Sequence, residues 1–303
     1  MRRLAAALLL IVLVVIFGDL PGRWLFVGEL QNTAHVPAFG SIAAALLVIC
    51  RHWPVSRKWS SLTRWVAVVT TATVIGAAIE VIQGALHRDM DLEDVFHDFL
   101  GALIGVAIMH AFKWEPSSRS LRKTSVSIGF AALLISVFPV AWSAAAYIHR
   151  NREFPVLLQF NSRLDRYFLF DCAARKDLAR AEDARLIVTL QPNCHRQIGL
   201  GEPYSDWTGY QHLKVDIANT TAADLRFTIR IEDTHHNQEY WDRFNQTFAL
   251  AANERKTLIV PLDAIEHAPR TRTMDMKQIY WLEIFASEAS AGGSVALSRI
   301  WLD

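Results

Sequence analysis

The chain has 303 residues, a formal net charge of +1 and 52% hydrophobic residues. The balanced charge excludes the basic excess of a nucleic-acid-binding protein, and the length predicts two domains. Long apolar runs end near residue 149 and short apolar–polar alternation follows, so the expected domains are 1–149 and 153–303.

A helix needs roughly 20 apolar residues to cross a bilayer. Five segments meet or approach this: residues 4–20, 35–50, 65–86, 95–112 and 126–148. The first follows Arg2 and Arg3 and is read as a retained helix, because no small-x-small cleavage site follows it. The third carries one charge, Glu80, and the fifth contains Pro139, an expected kink. Basic residues set the orientation. Arg2 and Arg3, then Arg51, Arg57, Lys58 and Arg64, then Lys113, Arg119, Arg122 and Lys123 against Glu115 mark the cytoplasmic side. The acidic loop HRDMDLEDVFHD faces outward. Five spans then place the N-terminus in the cytoplasm and the C-terminal half outside an inner membrane, with the lipid bilayer as a partner. Arg150 and Arg152 run against this.

Ionisable groups within spans are functional candidates, because unpaired they are costly in hydrocarbon. Glu80 and Gln83 share a face of the third span, and Arg88 follows. Asp91, Asp94 and Asp98 form a stripe at the start of the fourth, continued by Gly101 and Gly105, a pair that lets another helix approach closely. His35 opens the second span at the same outer depth. Together these predict a polar pocket of His35, Glu80, Gln83, Arg88, Asp91, Asp94 and Asp98. Two other readings stay open. Arg88 pairs with Asp91 or Asp94 while the aspartates cap a helix, or the carboxylates hold a divalent cation.

The stretch EVIQGALHRDMDLEDVFHDFLGALIG, residues 80–105, resembles the VanZ-like membrane proteins. The family's second motif is matched in part by NTAHVPAFG, residues 32–40. His35 and Phe39 agree, Asn32 and Thr33 stand for the usual Asp and Lys, and Asp98 stands for Asn. The resemblance covers residues 30–112. It implies a link to glycopeptide (teicoplanin) resistance and the cell envelope, and no particular reaction.

From about residue 153 the apolar period is two, as in DLRFTIRIED. Strands are expected at 167–172, 185–190, 213–217, 225–231, 244–250, 256–262, 279–286 and 294–302, separated by turn signals. Without helical crossovers these predict an antiparallel β-sandwich. The stretches SDWTGYQHLKVDIAN, the strand end at Asp233, KTLIVPLDAI and VALSRIWLD resemble the galactose-binding-like, jelly-roll carbohydrate-binding modules over residues 160–303. That resemblance implies a glycan ligand. The whole is thus an α + β multidomain chain, a bundle of about five transmembrane helices followed by a sandwich.

The loop DTHHNQEYWDRFNQTF, residues 233–248, gathers planar polar and aromatic side chains suited to sugars. The glycan candidates are Asp233, His236, Asn237, Tyr240, Asp242, Arg243 and Asn245. The alternative is an ion-paired corner, Asp233 or Asp242 with Arg243. Trp207, Trp281 and Trp301 are expected in the core. Cys172 and Cys194 fit a disulfide or two free thiols equally, and Cys50 fits packing. No zinc ligand set, cofactor motif or nucleophile elbow is present. The sequence therefore predicts a non-enzymatic protein binding an envelope glycan or lipid-linked saccharide. Its rivals are a scaffold for another envelope protein, and an enzyme or carrier for a lipid-linked substrate. The last would use His35 or a carboxylate as general base.

Overall fold

The computed structural model describes residues 24–86, 90–170, 185–189, 198–286 and 293–303. The expected first span, Arg88, Cys172 and Cys194 lie outside the described residues. The chain divides into two compact units, Met1–Ala144 and Ala145–Asp303.

The first unit is helical: α1 (Leu25–His52), α2 (Ser61–Ala85), α3 (Leu92–Ala111) and α4 (Arg119–Glu153). The last turns of α4, from Ala145, belong to the second unit. Among the described residues, three helices are long and apolar enough to cross a membrane: α1, α2 and α4. The 20-residue α3 carries Glu93, Asp94 and Asp98 in its first half. Helix α1 starts at Leu25, ahead of the expected His35. The segment of α1 before His35 interrupts the apolar run but holds no proline, and backbone hydrogen bonding does not need apolar side chains. Caps explain two starts. Ser60 Oγ accepts the Thr63 N–H at 3.0 Å ahead of α2, and Asp91 Oδ1 accepts the Glu93 N–H at 2.8 Å ahead of α3.

Phe39, Leu47, Val68, Ala72, Ile79, Ala102 and Val106 form the bundle core. Helices α1 and α3 approach through glycine: a Cβ on Gly101 would lie 2.5 Å from Val36 O, and one on Gly105 would collide with Gly40 O. This is the close approach expected of a small-xxx-small stripe. Outward positions are apolar, including Val66, Val74, Val81, Phe130, Leu134 and Phe138. Arg64 and Glu115, counted in the sequence as loop charges, are instead buried together, with Arg64 Nε to Glu115 Oε1 at 2.8 Å. They cancel, and the remaining loop charge stays basic.

Among the described residues, the second unit is a β-sandwich of two five-stranded antiparallel sheets. The first runs β1 (Val156–Gln159), β10 (Ser294–Leu302), β5 (His212–Asn219), β8 (Arg255–Pro261), with β3 (Leu186–Thr189) also on β10. The second runs β2 (Leu169–Phe170), β4 (Ile198–Gly201), β9 (Ile279–Ala286), β6 (Leu225–Asp233), β7 (Phe244–Leu250). A short helix, α5 (Leu262–Glu266), follows β8. Alternation is the cause: Leu213, Val215 and Ile217 of β5, and Leu225, Phe227, Ile229 and Ile231 of β6, are all buried. This strand order, and not a jelly-roll as such, is what the structure establishes. Strand β4 escaped the sequence reading because it is half glycine, IGLG. A Cβ on Gly199 would lie 2.7 Å from the Trp281 ring, and one on Gly201 would collide with Phe170. Trp207 is buried as expected, but in the turn before β5 and not in a strand, while Trp281 and Trp301 are half-buried. Arg150 is engaged within the second unit, its Nη1 donating to Glu202 O at 2.7 Å and its guanidinium lying over Tyr147 and Phe168.

Candidate functional sites

The glycine contact between α1 and α3 places the first site. Val36 backs onto Gly101, so the preceding His35 and the Asp98 one turn before Gly101 meet at the same crossing. His35 Nδ1 lies 2.9 Å from Asp98 Oδ1, and its Nε2 lies 3.7 Å from Asp94 Oδ2. Gly76 and Glu80 share a face of α2. Asp98 occupies the space a side chain at Gly76 would need, and Glu80 Oε2 accepts the Asp91 N–H at 2.9 Å. Glu80 is 2% exposed and Asp98 1%.

The structure thus brings His35, Glu80, Asp94 and Asp98 together, with Asp91 joined through its backbone. Gln83 is buried one turn beyond Glu80. Asp91 is exposed and caps α3, as the capping reading expects. His97 turns to Glu93 O at 2.8 Å. Among the described residues, Glu80 Oε1 and Asp94 Oδ1 are buried without a hydrogen-bond partner. Among the described residues, no group of three or more His, Cys, Asp or Glu is placed to hold a metal ion, so the divalent-cation reading finds no donor set there.

The second site is the loop between β6 and β7. Its base is Arg272, which grips two buried carboxylates at once. Nη1 and Nη2 donate to Asp233 Oδ2 and Oδ1 at 2.5 and 2.8 Å. Nε and Nη2 donate to Asp242 Oδ1 and Oδ2 at 2.5 and 2.9 Å. These bonds hold the Asp242 carboxyl below the usual carboxylate range, against the opposing effect of burial, with the Asn237 N–H adding to them. The ion-paired alternative named the wrong partner. Arg243 turns to Glu232 Oε1 at 3.2 Å, and Arg272 clamps the aspartates. His236 is buried, its Nδ1 3.0 Å from Asp242 O. Asn245 lies 3.4 Å from Arg230 Nε.

Above this base the loop is open. Gln238 sits at φ 73°, in the left-handed region that non-glycine residues seldom adopt. Tyr240 is 57% exposed and Trp241 50%. Their rings meet edge-to-face at 5.3 Å, with Arg243 5.4 Å from the Tyr240 ring centre and Arg270 4.3 Å from that of Trp241. His235 and Asn237 beside them are exposed. Of the predicted glycan residues, then, Asn237 and Tyr240 are presented to solvent. Asp233, His236 and Asp242 form the base, and Arg243 and Asn245 are half-buried. Trp241 belongs to the loop the sequence singled out, whereas Arg270 and Arg272 were missed. The only signal for the arginines was the basic APRTRT stretch, and nothing in it pointed to a loop some 30 residues away.

No protein-family model matches the chain, and no curated protein does, so the VanZ-like resemblance rests on the quoted motifs. Solved structures do match. A family 11 carbohydrate-binding module from Clostridium thermocellum, in complex with a β-1,3-1,4-mixed-linked tetrasaccharide, is 17% identical at a TM-score of 0.28, with 39% of this chain and 73% of the module covered. PfGH50B is 13% identical at a TM-score of 0.31, with 41% of this chain and 20% of that chain covered. An exo-β-agarase is 12% identical at a TM-score of 0.28, with 35% and 18% covered. The chain spans about a fifth of the length of these last two. At such scores the likeness carries no argument about function.

Proposed function

We propose that this chain is a membrane-anchored glycan-binding protein of the cell envelope. A VanZ-like bundle is the anchor and the sandwich is the binding domain. The observation that carries the reading is the exposed Tyr240–Trp241 pair on a loop pinned by Arg272. A sugar ring offers an apolar C–H face that packs on an aromatic side chain, and its hydroxyls need planar polar partners. Large exposed aromatics held on a fixed base provide the first, and His235 and Asn237 provide the second. Loop charge supports a cytoplasmic N-terminus with the sandwich on the opposite side of the membrane. A role in glycopeptide resistance rests on the motif resemblance alone.

The test is a glycan array of envelope polysaccharides and lipid-linked saccharides, probed with the detergent-solubilised full chain. Binding is expected, and Trp241→Ala and Tyr240→Ala each abolish it while leaving the melting temperature unchanged. A folded wild-type protein that binds no sugar overturns the reading. Binding that survives the double substitution overturns its placement at this loop.

A further inference from the structure

Among the described residues, the polar cluster where α1, α2 and α3 meet holds more acidic groups than donors to them. Glu80, Asp94 and Asp98 contribute three carboxylates; among the described residues His35 is the one cationic group in contact with them, and His97, turned to Glu93 O, acts on Asp94 only from a distance. With all three carboxyls ionised, the cluster stays net negative even when both ring nitrogens of His35 are protonated. Two of its oxygens, Glu80 Oε1 and Asp94 Oδ1, are buried and have no donor among the described residues. The first belongs to a side chain that is almost wholly enclosed.

A carboxylate taken out of water without a partner costs several kcal/mol, and within a bilayer no solvent restores it. The packing nevertheless spends glycine positions on this cluster, with Gly76 bare to admit Asp98. The cluster is not sealed. The Asp94 side chain is 19% exposed, and Asp91 at the start of α3 is open to the surroundings. The exposed edge of the cluster is therefore at the start of α3.

We infer that the His35–Glu80–Asp94–Asp98 cluster binds the primary ammonium group of a ligand at the membrane surface. A primary ammonium carries three N–H donors and a positive charge. It would supply a donor to Glu80 Oε1 and another to Asp94 Oδ1 and offset the surplus charge. A quaternary ammonium carries no N–H and would leave both oxygens bare. His35, held between Asp94 and Asp98, fixes the spacing of the two acids and is a positioning residue. The same chemistry is offered by an ethanolamine lipid head group and by an amino sugar. This site belongs to the helical unit and the aromatic loop to the sandwich unit, and the fate of either reading leaves the other intact.

The purified full chain is placed in phosphatidylcholine nanodiscs, and its melting temperature is followed. One series replaces part of the lipid with phosphatidylethanolamine, a second with its N-methylated forms, and a third adds glucosamine or N-acetylglucosamine to the buffer. A rise with phosphatidylethanolamine that fades on methylation assigns the lipid source. A rise with glucosamine and not with N-acetylglucosamine assigns the sugar source. Glu80→Gln weakens the apparent affinity about tenfold or more, as the loss of a charged hydrogen bond does. Asp94→Asn, at a less buried position, gives the same result if the Glu80 variant does not fold. The inference is overturned if no primary amine stabilises the protein. It is overturned equally if choline compounds stabilise it as well, or if Asp94→Asn keeps the full response.

Discussion

The Asp98 carboxylate fills the place of the side chain that Gly76 lacks. A Cβ built on Gly76 would collide with Asp98 Oδ2 and lie 2.9 Å from its Cγ. An acid of α3 therefore packs on bare α2 backbone, one helical turn from Glu80, while its other oxygen meets His35 of α1. Three helices converge on one carboxylate, and a missing methyl group permits it.

Gly76→Ala is expected to destabilise the helical unit by about 1–3 kcal/mol, the usual cost of overpacking a tight interior. Adding Asp98→Ala removes the colliding group, so the double variant is less destabilised than the sum of the two singles. Thermal melts of the full chain in one detergent measure both. A Gly76→Ala protein that melts like wild type contradicts the packing.

Gly105 and Gly28 separate glycines that act by close approach from glycines that do not. Gly105→Val drives a side chain into Gly40 O and is expected to part α1 from α3, seen as a loss of engineered cysteine crosslinking between them. A Cβ on Gly28 meets nothing within 4 Å. Gly28→Ala is therefore expected to be neutral or to stabilise α1 by up to about 1 kcal/mol, the propensity difference in a helix interior.

Arg272→Ala leaves Asp233 and Asp242 buried without their cation. The expected cost to the sandwich is about 3–5 kcal/mol, as for breaking a buried pair from one side. Arg272→Lys is expected to recover little, because a single ammonium cannot bind two carboxylates bidentately. The sandwich transition is to be followed on its own, since a chain of two units need not unfold in one step.

Asp242 also sets a pH dependence. Its carboxyl is held low in the folded state by Arg272, so its stabilising contribution is complete above the unfolded value of about 3.9. That contribution is lost as pH falls from there through the depressed folded value. Denaturation midpoints of the sandwich taken from about pH 6 downward are expected to fall more steeply for wild type than for Asp242→Asn. Equal slopes would show that Asp242 carries no such linkage.

Much of the architecture was legible because its signals are local. Strands β7, β9 and β10 lie where residue alternation put them, and Gly101 and Gly105 announced a close helix contact from their spacing alone. Strand β4 was not legible, because its glycines answer to Trp281 and Phe170, which are distant in the chain. The membrane acids could be placed on helix faces, yet which of them meets His35 depends on how α1 crosses α3, 63 positions away. In the loop, a nearby arginine was the natural partner for Asp233 and Asp242. The arginine that binds them stands 39 and 30 positions away.

Local sequence pattern sets the membrane-length apolar helices, the change to strands and the composition of both polar clusters. Periodicity and apolar length are properties of neighbouring residues and of backbone hydrogen bonding. The folding of remote segments together is what sets Asp98 on Gly76, leaves Glu80 and Asp94 short of donors among the described residues, and lets Tyr240 and Trp241 face solvent above Arg272. Charge pairing and burial depend on where the folded chain brings remote segments, and no local pattern records that path.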